Sequence, residues 1–244
     1  MNYRKGIILA GGFGTRLHPL TKVVSKQLLP VYDKPMIMYP LKTLTDSGFD
    51  DLLVISNPED EFLFKKLLED YSVSELKISF SVQEQPRGIA EAFIIAEDWL
   101  DEEGCSLILG DNIFISKNIN NSLIKATSIE KGATIFAYKV HDPSRYGVVE
   151  FEGRKVLSIE EKPKIPKSEW AVTGLYVYDN TVSQKAKELE PSRRGEIEIT
   201  DLNRKYLEEG NLNIEFLEKD AHWLDAGTHD SLLEAGILVK SLID

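Results

Sequence analysis

Ile7-Ile8-Leu9-Ala10-Gly11-Gly12-Phe13-Gly14-Thr15-Arg16-Leu17 decides the fold. A short apolar run broken at once by a glycine cluster reads as a buried strand that ends in a tight turn. In open α/β sheets, ligands bind beyond the carboxyl ends of strands, and this turn stands at such a place. Its glycines let backbone N–H groups approach an anion with no Cβ in the way. Thr15 adds a hydroxyl, and Arg16 a guanidinium that forks onto phosphate oxygens. Two familiar phosphate loops are excluded. Gly14-Thr15-Arg16 lacks the Gly-Lys-Ser/Thr of the P-loop, and the dinucleotide pattern G-x-G-x-x-G fits Gly12 and Gly14 but fails at Leu17. The glycines alone suit a ligand-free turn equally well. Arg16 beside them, with Lys26 ten residues on, favours a polyphosphate site.

Outward from this stretch, strand and helix patterns alternate. Pro35 opens a helix that ends near Gly48. A strand over 52–55 precedes a helix over 58–70, with Asn57 as its cap. A strand over 77–82 ends in the polar loop Gln83-Glu84-Gln85-Pro86-Arg87-Gly88, followed by a helix with Ile89, Ala92, Phe93 and Ala96 on one face. Ser106-Leu107-Ile108-Leu109 is a buried strand running into Gly110-Asp111-Asn112. A carboxylate there overhangs the cleft, although Asp111 after a glycine also suits a plain turn.

After a strand over 133–140 the rhythm changes. Residues 148–151 and 155–160, with a Glu152-Gly153 turn, predict a hairpin projecting beside the sheet. A strand over 172–178, helices over 181–189 and 201–209, and a strand over 212–216 follow. Residues 223–228 form a turn into a last helix over 230–243. The expectation is one α/β domain over 1–244, with a Rossmann-like, mostly parallel mixed sheet flanked by helices and a small β-rich insertion.

A chain of 244 residues can bury a sizeable core. A net charge of −11 argues against a nucleic-acid or anionic-membrane surface, so an anion site must be a local basic pocket on an acidic body. The single Cys105 excludes an intramolecular disulfide framework and fits a cytoplasmic setting; its apolar context points to packing rather than reactivity. No run of about 20 apolar residues is present to span a membrane. Arg4-Lys5 before a short apolar run only faintly mimics a signal peptide. His18, His141, His222 and His229 show no metal-ligand spacing.

The run from Leu9 to Thr21, Leu-Ala-Gly-Gly-Phe-Gly-Thr-Arg-Leu-His-Pro-Leu-Thr, resembles the signature of the sugar-1-phosphate nucleotidylyltransferases. Ser25-Lys26-Gln27-Leu28-Leu29-Pro30-Val31-Tyr32-Asp33-Lys34-Pro35-Met36 is similar to the thymidylyl group of that family. The resemblance covers nearly the whole chain. It implies Mg²⁺-dependent transfer of a nucleotidyl group from dTTP to glucose 1-phosphate, giving dTDP-glucose and pyrophosphate. It also implies a nucleotide-binding half over 1–140 and a sugar-phosphate half over 141–244.

Carried over residue by residue, the resemblance assigns the triphosphate loop to Gly11, Gly14, Thr15 and Arg16, and a phosphate lysine to Lys26. It assigns the thymine edge to Gln83 and Gly88, with Gln27 in the same nucleotide-side signature. A glutamine amide both gives and accepts a hydrogen bond, which suits the neighbouring acceptor and donor of thymine or uracil. The metal carboxylates are Asp111 and Asp225. Glucose falls to Tyr146, Gly147, Glu161 and Val172, and the sugar phosphate to Lys162 and Arg194. The catalytic cations are Arg16, Lys26 and Lys162. Each has a bland alternative: solvated lysines and arginines, an exposed Glu160-Glu161 pair, a turn cap at Asp225, a core role for Trp223. The functional readings win jointly, because the matches fall in the family's order. The rival donor is UTP, since uracil lacks only a methyl worth about 1–3 kcal/mol. A non-catalytic sugar-nucleotide sensor is the rival of a different class, disfavoured by the presence of both carboxylates and both phosphate cations.

Overall fold

The computed structural model describes residues 5–69 and 76–243. In its first half the strands are β1 (Lys5–Ala10), β2 (Pro30–Val31), β3 (Lys34–Pro35), β4 (Asp51–Ser56), β5 (Lys77–Val82), β6 (Cys105–Leu109), β7 (Asn112–Ile115) and β8 (Ala133–Lys139). In its second half they are β9 (Gly147–Glu152), β10 (Lys155–Glu161), β11 (Trp170–Tyr178), β12 (Leu212–Phe216) and β13 (His222–Asp225). The helices are α1 (Met38–Asp46), α2 (Glu61–Leu68), α3 (Glu91–Ile95), α4 (Glu97–Leu100), α5 (Ile119–Thr127), α6 (Val182–Lys187), α7 (Ile199–Glu208) and α8 (His229–Ile243).

The apolar runs form the centre of the sheet because only strands covered on both faces tolerate apolar residues at every position. β6, β1, β4 and β5 lie side by side and parallel. Side chains alternate between the faces of β1. Ile7 and Leu9 pack with Phe93 and Leu202 on one side. Ile8 and Ala10 pack with Leu41, Leu44, Phe64 and Leu123 on the other. Ile7 and Ile8 are fully buried, each worth about 1.5–3 kcal/mol relative to exposure. A smaller cluster joins Val31, Met36 and Ile113 to Ala235 and Val239 of α8.

Among the described residues nine strands form one mixed sheet that runs through both halves of the chain. β11 is its hinge between parallel and antiparallel pairing. Along one edge it pairs with β8, with a register break between Val172 and Tyr176. Along the other edge it pairs antiparallel with β6 through Leu175–Tyr178, and then with β9 at Ala171. The β9–β10 hairpin is therefore bonded into the sheet at the place where β6 leaves it, rather than projecting beside it. This handover opens a gap past the carboxyl end of β6.

Several elements differ from the sequence reading. Pro35 does not open a helix: Met36 and Ile37 donate their N–H groups to Leu29 and Gln27, tying residues 34–37 back to the preceding segment, and α1 begins at Met38. Asn57 does not cap α2; Asp60 occupies the cap position, and its carboxylate accepts the Ser25 N–H at 3.2 Å instead. The expected end of that helix at Asp70 lies outside the described residues. α5 and β7 were not anticipated. The stretch over 223–228, read as a turn, begins inside β13, which pairs antiparallel with β7 in the register Asn112↔Asp225.

Candidate active site

The gap is the mouth of a cleft of about 690 Å³ at the carboxyl ends of β1, β5 and β6, bordered opposite by the hairpin and α7. The glycine loop closes one side. Gly14 turns the chain at φ 60°, where a side chain is disfavoured, and the turn is pinned by Leu17 N–H to Gly14 O at 2.9 Å and Thr21 Oγ1 to the same oxygen at 2.7 Å. Among the described residues the N–H groups of Gly12, Phe13, Gly14 and Thr15 donate to no protein acceptor, leaving them open to an anion. Gly11 is required for a close approach: a Cβ there would stand 2.6 Å from Gln83 Oε1.

The structure brings Thr15, Arg16, Gln83, Gly88, Asp111, Tyr146, Gly147, Glu161, Lys162, Val172, Arg194 and Asp225 to the walls of this one cleft. Gly11, Gly14, Lys26 and Gln27 stand behind the wall. Gln27 is only 2% exposed, with its Oε1 accepting the Ser25 hydroxyl. Lys26 reaches the cleft floor through its ammonium, which is ion-paired with Asp111.

The two carboxylates are brought near each other because β7 and β13 pair in the register Asn112↔Asp225, with Asp111 just before β7; Ala226 N–H bonds Asp111 O at 3.1 Å. Asn112 fixes the floor. Its Nδ2 donates to Asp111 Oδ1 at 3.0 Å, while its Oδ1 accepts Gly174 N–H at 3.0 Å and Trp223 Nε1–H at 2.6 Å. Burial opposes ionisation of Asp111, but the Lys26 ammonium and the Asn112 amide outweigh it and hold the carboxyl below its ordinary range. Burial and the charge of Asp111 push the Asp225 carboxyl above its ordinary range. A buried carboxylate at Asp111 and a half-buried one at Asp225, with one paired ammonium, suit a divalent cation. Mg²⁺ commonly takes one or two carboxylates and completes its octahedron with phosphate oxygens and water.

On the far side, Glu161 is held by Thr200 Oγ1 at 2.6 Å and by the Lys162 ammonium at 3.3 Å. Lys162 adopts φ 43°, the left-handed region that few non-glycine residues enter, and its N–H is tied to Tyr146 O at 3.0 Å. Such strain persists only where the surroundings fix it. Arg194 is engaged with carboxylates: both Glu198 oxygens at 2.9 Å and Glu196 at 3.2 Å. The Tyr146 ring leans on Trp223 with centroids 5.0 Å apart, so Trp223 serves both the core and the cleft wall.

Sequence reasoning missed Arg145, Asn112, Thr200 and Glu198, all of which line the cleft. Arg145 has no sequence signal beyond its place just ahead of the hairpin, yet its guanidinium lies 5.7 Å from the centre of the Tyr146 ring, exposed and without a carboxylate partner among the described residues. Thr200 follows Ile199 at the start of α7, a helix recognisable from its pattern but not assignable to the site. One expectation is narrowed. Gln83 does not both give and accept toward a ligand, because its Nε2 is already bonded to Glu91 and to Gly88 O.

A mixed sheet with a glycine loop of unpartnered N–H groups and two carboxylates at the cleft floor, faced by cations from both halves, suits an enzyme that handles phosphate esters. The chain belongs to the nucleotidyl transferase family, whose model matches residues 5–241. Within it, the chain is 55% identical over 239 residues to the glucose-1-phosphate thymidylyltransferase of Neisseria meningitidis serogroup A, covering 98% of this chain and 83% of that protein. It is 52% identical over 239 residues to the glucose-1-phosphate thymidylyltransferase of Mycolicibacterium smegmatis, again 98% and 83%. A Bacillus anthracis structure described as a glucose-1-phosphate thymidylyltransferase in complex with a sucrose superposes with TM-score 0.90 at 42% identity, covering 97% of this chain and 95% of that one.

Proposed function

We propose that this chain joins glucose 1-phosphate to the thymidylyl group of dTTP, forming dTDP-glucose and releasing pyrophosphate. The observation that carries the reading is one cleft whose walls include Arg16 of the glycine loop, the carboxylates Asp111 and Asp225, and the cations Arg145, Lys162 and Arg194 of the second half. The nucleophile is a phosphate oxygen of the sugar phosphate, ionised at neutral pH. It attacks the α-phosphorus in line; the bond to the bridging oxygen breaks, and that electron pair leaves with pyrophosphate. No Ser–His or Cys–His arrangement is required. The task of the protein is alignment and charge neutralisation.

In this reading the free N–H groups of the glycine loop and Arg16 hold the β- and γ-phosphates that depart. Lys26 serves the α-phosphate side. Lys162 and Arg194, with Arg145 beside them, hold the attacking phosphate, and Glu161 with the backbone of Gly147 and Val172 orients the hexose. Asp111 and Asp225 would hold Mg²⁺, which when bound supplies a Lewis-acid contact to phosphate oxygens. A single buried Cys105 is at home in the reducing cytosol, where we place the reaction. Uracil presents the same hydrogen-bonding edge as thymine, so UTP is the competing donor. The test is pyrophosphate release over a matrix of dTTP, UTP, dCTP and ATP against glucose, galactose and mannose 1-phosphates, with and without EDTA. Release from dTTP and glucose 1-phosphate, abolished by EDTA and absent without the sugar phosphate, is the expected result. A covalent nucleotidyl-enzyme formed without sugar phosphate would overturn direct displacement.

A further inference from the structure

Gln83 leaves the carboxyl end of β5 and is 3% exposed. Its amide nitrogen donates to Glu91 Oε2 at 2.8 Å and to Gly88 O at 3.1 Å. A carboxamide has two N–H hydrogens, and both are used. Glu91, at the start of α3 and 6% exposed, is held from behind by Arg87 Nη2 on its other oxygen at 2.8 Å. The orientation of the Gln83 amide follows from this chemistry. A carboxylate and a backbone carbonyl are both acceptors, so turning the amide over would set its oxygen against two more oxygens. Among the described residues nothing donates to Gln83 Oε1, which lies against Gly11 at the cleft. The side chain therefore offers the cleft an acceptor and no donor.

We propose that Glu91 is a positioning residue that sets nucleobase choice: it locks Gln83 as a pure hydrogen-bond acceptor, so that the site takes pyrimidines carrying N3–H and refuses cytosine. The inference rests on the nucleotide reading above, with Gln83 at the base edge. Thymine and uracil present a hydrogen at N3, whereas cytosine presents a lone pair there. With cytosine, two acceptors would face each other with no hydrogen between them. Mismatches of this kind separate substrates far better than the loss of a methyl group does. Glu91 acts through Gln83 and needs no contact with the base.

The test is Glu91→Gln, which keeps the shape while replacing a pure acceptor with a group that also donates. Gln83 can then turn over, accepting from the new amide with Gly88 O alone left to oppose the turn, and show its own N–H₂ to the cleft. The readout is the ratio of kcat/KM for dTTP to that for dCTP, together with calorimetric Kd values for both nucleotides. The wild type should favour dTTP by roughly 10⁴-fold. In the variant the ratio should fall at least tenfold, with dCTP binding more tightly than in the wild type. A purely structural role would lower both nucleotides together and leave the ratio unmoved, which overturns the proposal. Glu91→Ala, which leaves the amide oriented by Gly88 O alone, should lower the ratio in the same direction by a smaller factor if the first variant does not accumulate as folded protein. A wild type that binds dCTP as tightly as dTTP overturns the proposal without any variant. Failure of the wild type to use dTTP at all is a different result, since it strikes the proposed function instead.

Discussion

Replacing Lys26 by methionine tests the electrostatics of the cleft floor without involving substrate. The Lys26 and Asp111 side chains are 13% and 9% exposed, so the pair is effectively buried. Methionine keeps the apolar stem of the lysine but removes the ammonium. Asp111 is left with the Asn112 amide and its own backbone N–H, next to the second carboxylate at Asp225. Breaking a buried pair on one side costs about 3–5 kcal/mol, because the remaining charge is uncompensated. Asp111 lines an open cleft and can recruit water, so the low end, about 3 kcal/mol, applies. For a chain of this size that is a fall in Tm of about 6–12 °C. The assay is thermal unfolding followed by circular dichroism in EDTA. The double variant Lys26→Met/Asp111→Asn should regain most of the loss, because the orphaned charge is gone. Mg²⁺ should rescue the single variant more than the wild type. A single variant as stable as the wild type, or a double variant no better than the single, would refute the account.

Three further outcomes follow from the geometry. Lys162→Ala should weaken glucose 1-phosphate binding by roughly tenfold to a hundredfold while sparing dTTP, and Lys26→Ala should do the reverse, as read by calorimetric titration in Mg²⁺. The opposite division would misplace the sugar half. Asn112→Ala removes the acceptor shared by Gly174 N–H and Trp223 Nε1–H, at a cost of about 1–3 kcal/mol per orphaned donor; differential scanning calorimetry with an unchanged Tm would show that water replaces it freely. Cys105 is fully buried, and that burial, with the charge of Asp179 nearby, pushes its thiol up. A thiol-specific reagent should therefore label it only on unfolding, and stoichiometric labelling of the native protein within minutes would contradict this.

The parts legible in the sequence are those whose signal is local. β1 announces itself because residues buried on both faces leave an apolar run, and because glycine must end it. The hairpin over 147–161 was readable from alternation and the Glu152-Gly153 turn. β7 and β13 were not, because each is four residues long and, among the described residues, pairs only with the other, far away in the chain. Nothing near Asn112 signals that Asp225 will lie opposite. α5 escaped because Asn120, Asn121 and Ser122 are weak helix formers. It is held instead by burial of Ile119, Leu123 and Ala126 at helical spacing. Gln83 shows the same boundary within the site. Its place at a strand end was readable, but which half of its amide faces the cleft depends on Glu91, eight residues away and one element on.

The β7–β13 ladder also has a consequence in time. It closes over everything from Ser116 to Ala221, so the floor of the cleft joins a residue near the middle of the chain to one near its end. During synthesis at about 5–20 residues per second, Asp225 follows Asp111 by on the order of ten seconds. The parallel layer β6-β1-β4-β5 has all of its strands by then. Asn112 still lacks the Trp223 indole, and Asp111 lacks the carboxylate that sits across from it. A growing chain thus passes through an interval with a sheet and a glycine loop but no closed floor.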